Sequence, residues 1–98
     1  MSDFKRIESM FTALLRMLEE IFSAAEIAEV REFLDAGEYG LALDTLVDIV
    51  VEEGKRVDDD VALRVRMLAT AMRLEPEAYV SRLAVQREDV KVLTPRMF

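Results

Sequence analysis

Residues 33–54 read Phe-Leu-Asp-Ala-Gly-Glu-Tyr-Gly-Leu-Ala-Leu-Asp-Thr-Leu-Val-Asp-Ile-Val-Val-Glu-Glu-Gly. A helix stop, a tight corner and a helix restart are packed into this stretch. Phe33 and Leu34 close an apolar run, and Gly37 can end a helix in the left-handed conformation without a Cβ clash. Glu38-Tyr39-Gly40 then turns the chain into a second run, in which Leu43, Leu46, Val47, Val50 and Val51 recur at helical spacing. Asp44, Asp48 and Glu52 are four residues apart and stack along one face. The stretch therefore reads as a helical hairpin whose second arm is apolar on one side and acidic on the other.

The rest of the chain extends that pattern. Phe4, Ile7, Phe11, Leu14, Leu18 and Ile21 keep a seven-residue rhythm, and Met10, Leu15, Met17 and Phe22 widen the stripe. A stripe this wide fits a helix pressed against more than one neighbour better than one half of a coiled-coil dimer. Ser2 can cap this first helix. Ser23 and Glu26 have the spacing of a capping box for a second, which runs to about Ala36. In that second helix Ile27, Val30, Phe33 and Leu34 face inward, while Glu26, Glu29 and Glu32 line an outer face. The third helix ends at Gly54, with Lys55 and Arg56 placed where the helix dipole favours cations.

Asp58-Asp59-Asp60 caps a fourth helix. Its residues Val61, Leu63, Val65, Met67, Leu68, Ala71, Met72 and Leu74 make it apolar on most sides and hence the expected most buried element. Arg64, Arg66 and Arg73 emerge from it toward the acids of the second and third helices. Pro76 suits the first turn of a short fifth helix over about Glu77 to Val85. Residues 85–98, with Val90-Lys91-Val92-Leu93-Thr94-Pro95, read as a docked, extended tail. The expectation is a single all-α domain over 1–98, a small bundle of four to five short helices with that C-terminal tail.

Composition narrows the chemistry. The 98 residues suffice for one core. Cysteine and histidine are both absent, which removes thiolate chemistry, the commonest metal ligand and the commonest general base at neutral pH. An enzyme is not expected, and no cofactor or metal is. Carboxylates abound, but Asp58 to Asp60 lack the spaced ligands and glycine of a calcium loop. No charged, histidine-free acidic face supplies the Glu-x-x-His pattern of helical-bundle metal sites. The start of the chain does not read as a signal peptide, and no run approaches the length of a membrane helix, so a cytoplasmic protein is expected.

Net charge is −7 and uneven: residues 1–25 carry −1, residues 26–60 carry twelve acids and three bases for −9, and residues 61–98 carry +3. An acidic middle disfavours nucleic acid and anionic membranes as partners and favours a basic protein. It is equally what a solvated acidic surface would show.

The pattern Phe-Leu-x-x-Gly-Glu-Tyr-Gly-Leu-Ala-Leu-Asp, followed by an acidic-apolar helix, resembles the MafI-type family of small bacterial immunity proteins. The resemblance covers residues 30–54. Ala36 stands where that family commonly has His or Asn, and Asp44 where it has Glu; the corner residues Gly37, Tyr39 and Gly40 are all present. The resemblance implies a protein that neutralises the toxic C-terminal domain of a polymorphic or contact-dependent growth inhibition toxin, such as a basic nuclease, by stoichiometric occlusion. On that reading the partner-binding surface comprises Glu29, Glu32, Glu38, Tyr39, Asp44, Asp48 and Glu52. Tyr39 can serve as an anchor in a partner, or pack across the hairpin with its hydroxyl on a backbone carbonyl. The competing expectation is a helical adaptor or regulatory module that docks a partner helix or dimerises through its first helix, the latter to be revealed by a Leu14→Glu monomer.

Overall fold

The sequence folds into five helices in a computed structural model, which describes the backbone of residues 3–93 and the side chains of residues 4–84. They are α1 (Asp3–Leu18), α2 (Ala24–Asp35), α3 (Tyr39–Glu52), α4 (Asp59–Ala71) and α5 (Pro76–Leu93). Packing does not follow chain order. α2 lies on α3, α3 on α5, α5 on α4, and α4 on α1. No strand occurs among the described residues. The all-α expectation is met.

The helix starts follow the sequence signals. Ser23 Oγ accepts from the Glu26 amide at 3.1 Å, and the Ser23 amide donates back to Glu26 Oε1 at 2.8 Å, completing the capping box. Asp58 Oδ1 accepts from the Val61 amide at 3.0 Å and opens α4. The cap expected from Ser2 lies outside the described residues.

Three helix ends share one closure. After α2 the Gly37 amide donates to Leu34 O at 3.0 Å and the Glu38 amide to Phe33 O at 2.9 Å, a Schellman turn. Gly54 and Lys55 repeat it on Val51 and Val50 after α3, and Arg73 and Leu74 repeat it on Thr70 and Ala69 after α4. The pivot of each turn has positive φ: 76° at Gly37, 64° at Gly54 and 62° at Arg73. Two pivots are glycine, which meets no steric penalty there; the third is an arginine.

Phe11, Leu14 and Leu18 of α1 meet Leu43, Leu46 and Val50 of α3, Val65 and Leu68 of α4, and Leu83 of α5 in one fully buried core cluster. Leu14 is wholly buried within this chain, so the rhythm of α1 serves the core. A Leu14→Glu change would disrupt folding instead of freeing a monomer.

Several boundaries and burials differ from expectation. α1 stops at Leu18, and a turn through Ile21 and Phe22 returns Phe22 to the core, where Lys55 Nζ sits 5.7 Å from its ring centroid. The helix with the most buried residues is α3, not α4, because Leu63 and Met67 of α4 are about half exposed. Leucine and methionine at those positions satisfy helical periodicity on a face left half exposed among the described residues. α5 continues to Leu93, so the helix is longer than the Glu77–Val85 segment expected. Docking of a tail over 85–98 involves side chains outside the described residues, as does the backbone beyond Leu93.

The arginines of α4 also turn elsewhere. Arg66 pairs with Glu77 of α5 at 2.7 Å, Arg73 forms the corner, and Arg64 Nε is buried without a hydrogen-bond partner. Among the described residues none of these arginines pairs with an acid of α2 or α3; α4 packs against α1 and α5.

Candidate functional site

The corner Gly37–Leu41 forms one wall of an open, mostly apolar groove of about 800 Å³. The N-terminal turn of α1 supplies Phe4 and Ile7, and the α4 end supplies Ala71, Met72, Arg73 and Leu74. The Schellman turn at Gly37 sets the direction in which α3 leaves, and so places Tyr39 and Leu41 beside α1. Phe4 is 69% exposed and Leu41 48%, which makes them the outermost apolar side chains of the rim. Glu38 and Arg73 give that rim one charge of each sign.

Tyr39 braces the groove. Its ring lies 5.8 Å from the Phe4 ring, tilted by 31°, and its hydroxyl donates to Glu8 Oε2 at 2.7 Å. It packs on α1 and not across the α2–α3 hairpin, and its acceptor is a carboxylate instead of the expected backbone carbonyl. The hydrogen bond to the Glu8 carboxylate, with lesser desolvation, raises the Tyr39 hydroxyl above its ordinary value.

The acids of the expected surface divide into two groups. Glu29, Glu32, Glu38 and Glu52 are exposed. Asp44 and Asp48 face α5 instead. Tyr79 donates its hydroxyl to Asp44 Oδ1 at 2.8 Å, and Arg82 reaches Asp48 Oδ1 at the same distance. Burial, and then the bond to Asp44, pushes the Tyr79 hydroxyl up to about 12. The acidic stripe of α3 is thus in part the polar seam between α3 and α5. Sequence periodicity placed these aspartates on an outer face of α3, without revealing that a fifth helix covers them.

Glu26 is likewise engaged. It accepts from the Ser23 amide and pairs with Lys55 Nζ at 3.0 Å, and these two contacts, in that order, hold its carboxyl below the ordinary range. No group of three or more acidic side chains able to hold a metal ion occurs among the described residues. No described helix is long and apolar enough to cross a membrane. A second open depression, of about 900 Å³, runs along α1 over Lys5, Arg6, Glu8, Ser9 and Arg16.

The groove escaped sequence reasoning because its walls come from three separated segments. The available signal was Leu41, an apolar residue on the corner side of Leu43 that the core pattern of α3 does not use. No protein-family model, curated protein sequence or solved structure matches the chain.

Proposed function

We propose that this chain is an immunity protein that binds a cognate bacterial toxin domain in the cytoplasm and neutralises it by stoichiometric occlusion. The observation that carries the reading is that the residues of the family-like corner, Gly37 to Leu41, form a wall of the open apolar groove. A corner that served the hairpin alone would have no need to present Leu41 to solvent. The groove offers Phe4, Leu41 and Leu74 as a seat for an apolar anchor of the partner, the kind of buried centre on which protein interfaces concentrate their affinity. Glu38 at the rim, with the exposed Glu29, Glu32 and Glu52, supplies negative charge that steers a basic domain into place and speeds encounter. Asp44 and Asp48 contribute indirectly, by holding α3 against α5. Catalysis by this chain forms no part of the mechanism.

The test is co-purification with the C-terminal region of the protein encoded directly upstream, followed by titration calorimetry at two salt concentrations. A one-to-one complex that Leu41→Asp weakens, and that salt weakens further, is the expected result. Absence of any complex with that region overturns the reading. The adaptor alternative retains one favourable observation, the exposed Leu63 and Met67 on α4.

A further inference from the structure

The groove sits at one end of the bundle, where α1 and α3 begin and α4 ends. α5 starts from that same end, since Leu74 lines the groove and Pro76 opens the helix. Its direction is set by its polar contacts. Tyr79 meets Asp44 and Arg82 meets Asp48, so α5 runs parallel to α3 and away from the groove. α3 ends at Glu52, about one turn past Asp48, whereas α5 continues for about three turns past Arg82, to Leu93. The carboxyl end of α5 therefore projects past the end of the bundle opposite the groove.

The residues that follow are Thr94-Pro95-Arg96-Met97-Phe98. Pro95 has no amide to continue the helical ladder and disfavours the helical conformation at Thr94. Met97 and Phe98 suit a groove walled by Ile7, Leu41, Met72 and Leu74. Arg96 suits Glu38, which is exposed on the rim and enters no ion pair among the described residues. Within one copy this segment cannot reach that seat. α5 carries Leu93 roughly 25 Å from Pro76, while residues 94–98 fully extended span at most about 18 Å. A second copy removes the obstacle. Because the groove and the end of α5 lie at opposite ends of one direction, a two-fold axis perpendicular to α5 brings each α5 end to the other copy's groove. We propose that two copies of this chain pair by exchanging residues 94–98. Met97 and Phe98 of each copy sit in the groove of the other, with Arg96 against Glu38 and away from Arg73 on the opposite wall. The contact is reciprocal, so association stops at the pair. A toxin would compete with the tail for the groove, but the pairing itself needs no toxin.

The chain has no cysteine, so one introduced pair reports the exchange. Under mild oxidation the double variant Leu41→Cys, Met97→Cys should run on a non-reducing gel as a linked species of twice the monomer mass. A band of monomer mass, whether closed on itself or unlinked, overturns the proposal. Sedimentation velocity of the cysteine-free chain over a hundredfold concentration range should show a mass that rises to twice the monomer. Leu41→Asp, and separately Met97→Asp with Phe98→Asp, should each give a monomer with unchanged helical circular dichroism. Glu38→Arg should weaken pairing by about tenfold, and adding Arg96→Glu should restore it. A wild-type chain that stays monomeric overturns the exchange, as does a dimer that persists after Met97 and Phe98 are both replaced.

Discussion

Residues 37–41 and residues 44–52 are neighbours in one stretch of sequence, and the structure gives them opposite parts from those their composition invites. The acidic segment looks like a free surface, yet two of its three face acids are spent within the chain, Asp44 on Tyr79 and Asp48 on Arg82. The corner looks purely architectural, yet it lines the open groove with Tyr39 and Leu41. Whether a charge is available to a partner depends on which element packs over it, and helical spacing describes only the helix that carries it.

The comparison can be broken at its common foundation. Leu46 is fully buried in α3, behind both segments. Leu46→Ala should lower unfolding free energy by about 2–5 kcal/mol in urea denaturation, through lost burial and a residual cavity. A loss below about 1 kcal/mol would mean that α3 is not the central element.

Smaller effects separate the two segments. Asp44→Ala leaves the Tyr79 hydroxyl without its acceptor and should cost about 1–2 kcal/mol. In a double-mutant cycle with Tyr79→Phe, much of that cost should disappear. Leu41→Asp should alter stability by no more than about 0.5 kcal/mol, since its side chain is half exposed, while impairing partner binding. If Asp44→Ala weakens the partner complex without any loss of stability, the division of roles is wrong.

Gly37 and Gly40 sharpen the contrast inside the corner. Gly37 sits at φ 76°, so Gly37→Ala should destabilise by about 1 kcal/mol, although the space around it is open. Gly40 lies in the first turn of α3 with nothing near the position of an added Cβ, so Gly40→Ala should be neutral or stabilising by a few tenths of a kcal/mol, about what helix propensity gives at an exposed end. Thermal melts of the two single variants decide it.

Alkaline titration gives the gentlest test. The unfolded tyrosine ionises near 10.0, whereas Tyr79 in the fold ionises at about 12. Protonation is therefore favoured by the fold. The stabilisation is complete below the unfolded value and is lost as pH rises from about 10 to about 12. Replacing Tyr79 by Phe should flatten that part of the stability-pH curve relative to wild type.

Local features were legible in the sequence because their causes are local. The Ser23–Glu26 box, the Asp58 cap and the two glycine pivots each need only residues within a few positions of one another. The apolar rhythm of α1 likewise identified Ile7, Phe11, Leu14 and Leu18 as core, but its two end members, Phe4 and Ile21, are exposed. The exposed ridge on α4 was hidden because an apolar residue on the outer side of a helix has the same signature as one facing a further neighbour. The partners of Tyr39 and Tyr79 lie 31 and 35 residues away, a separation at which one sequence carries no pairing signal.

Arg73 turns its corner in a conformation where glycine would serve at less cost. A laboratory lineage chosen only for heat resistance should therefore replace Arg73 by glycine early, gaining on the order of 1 kcal/mol. The third corner thus holds stability that a single substitution can recover.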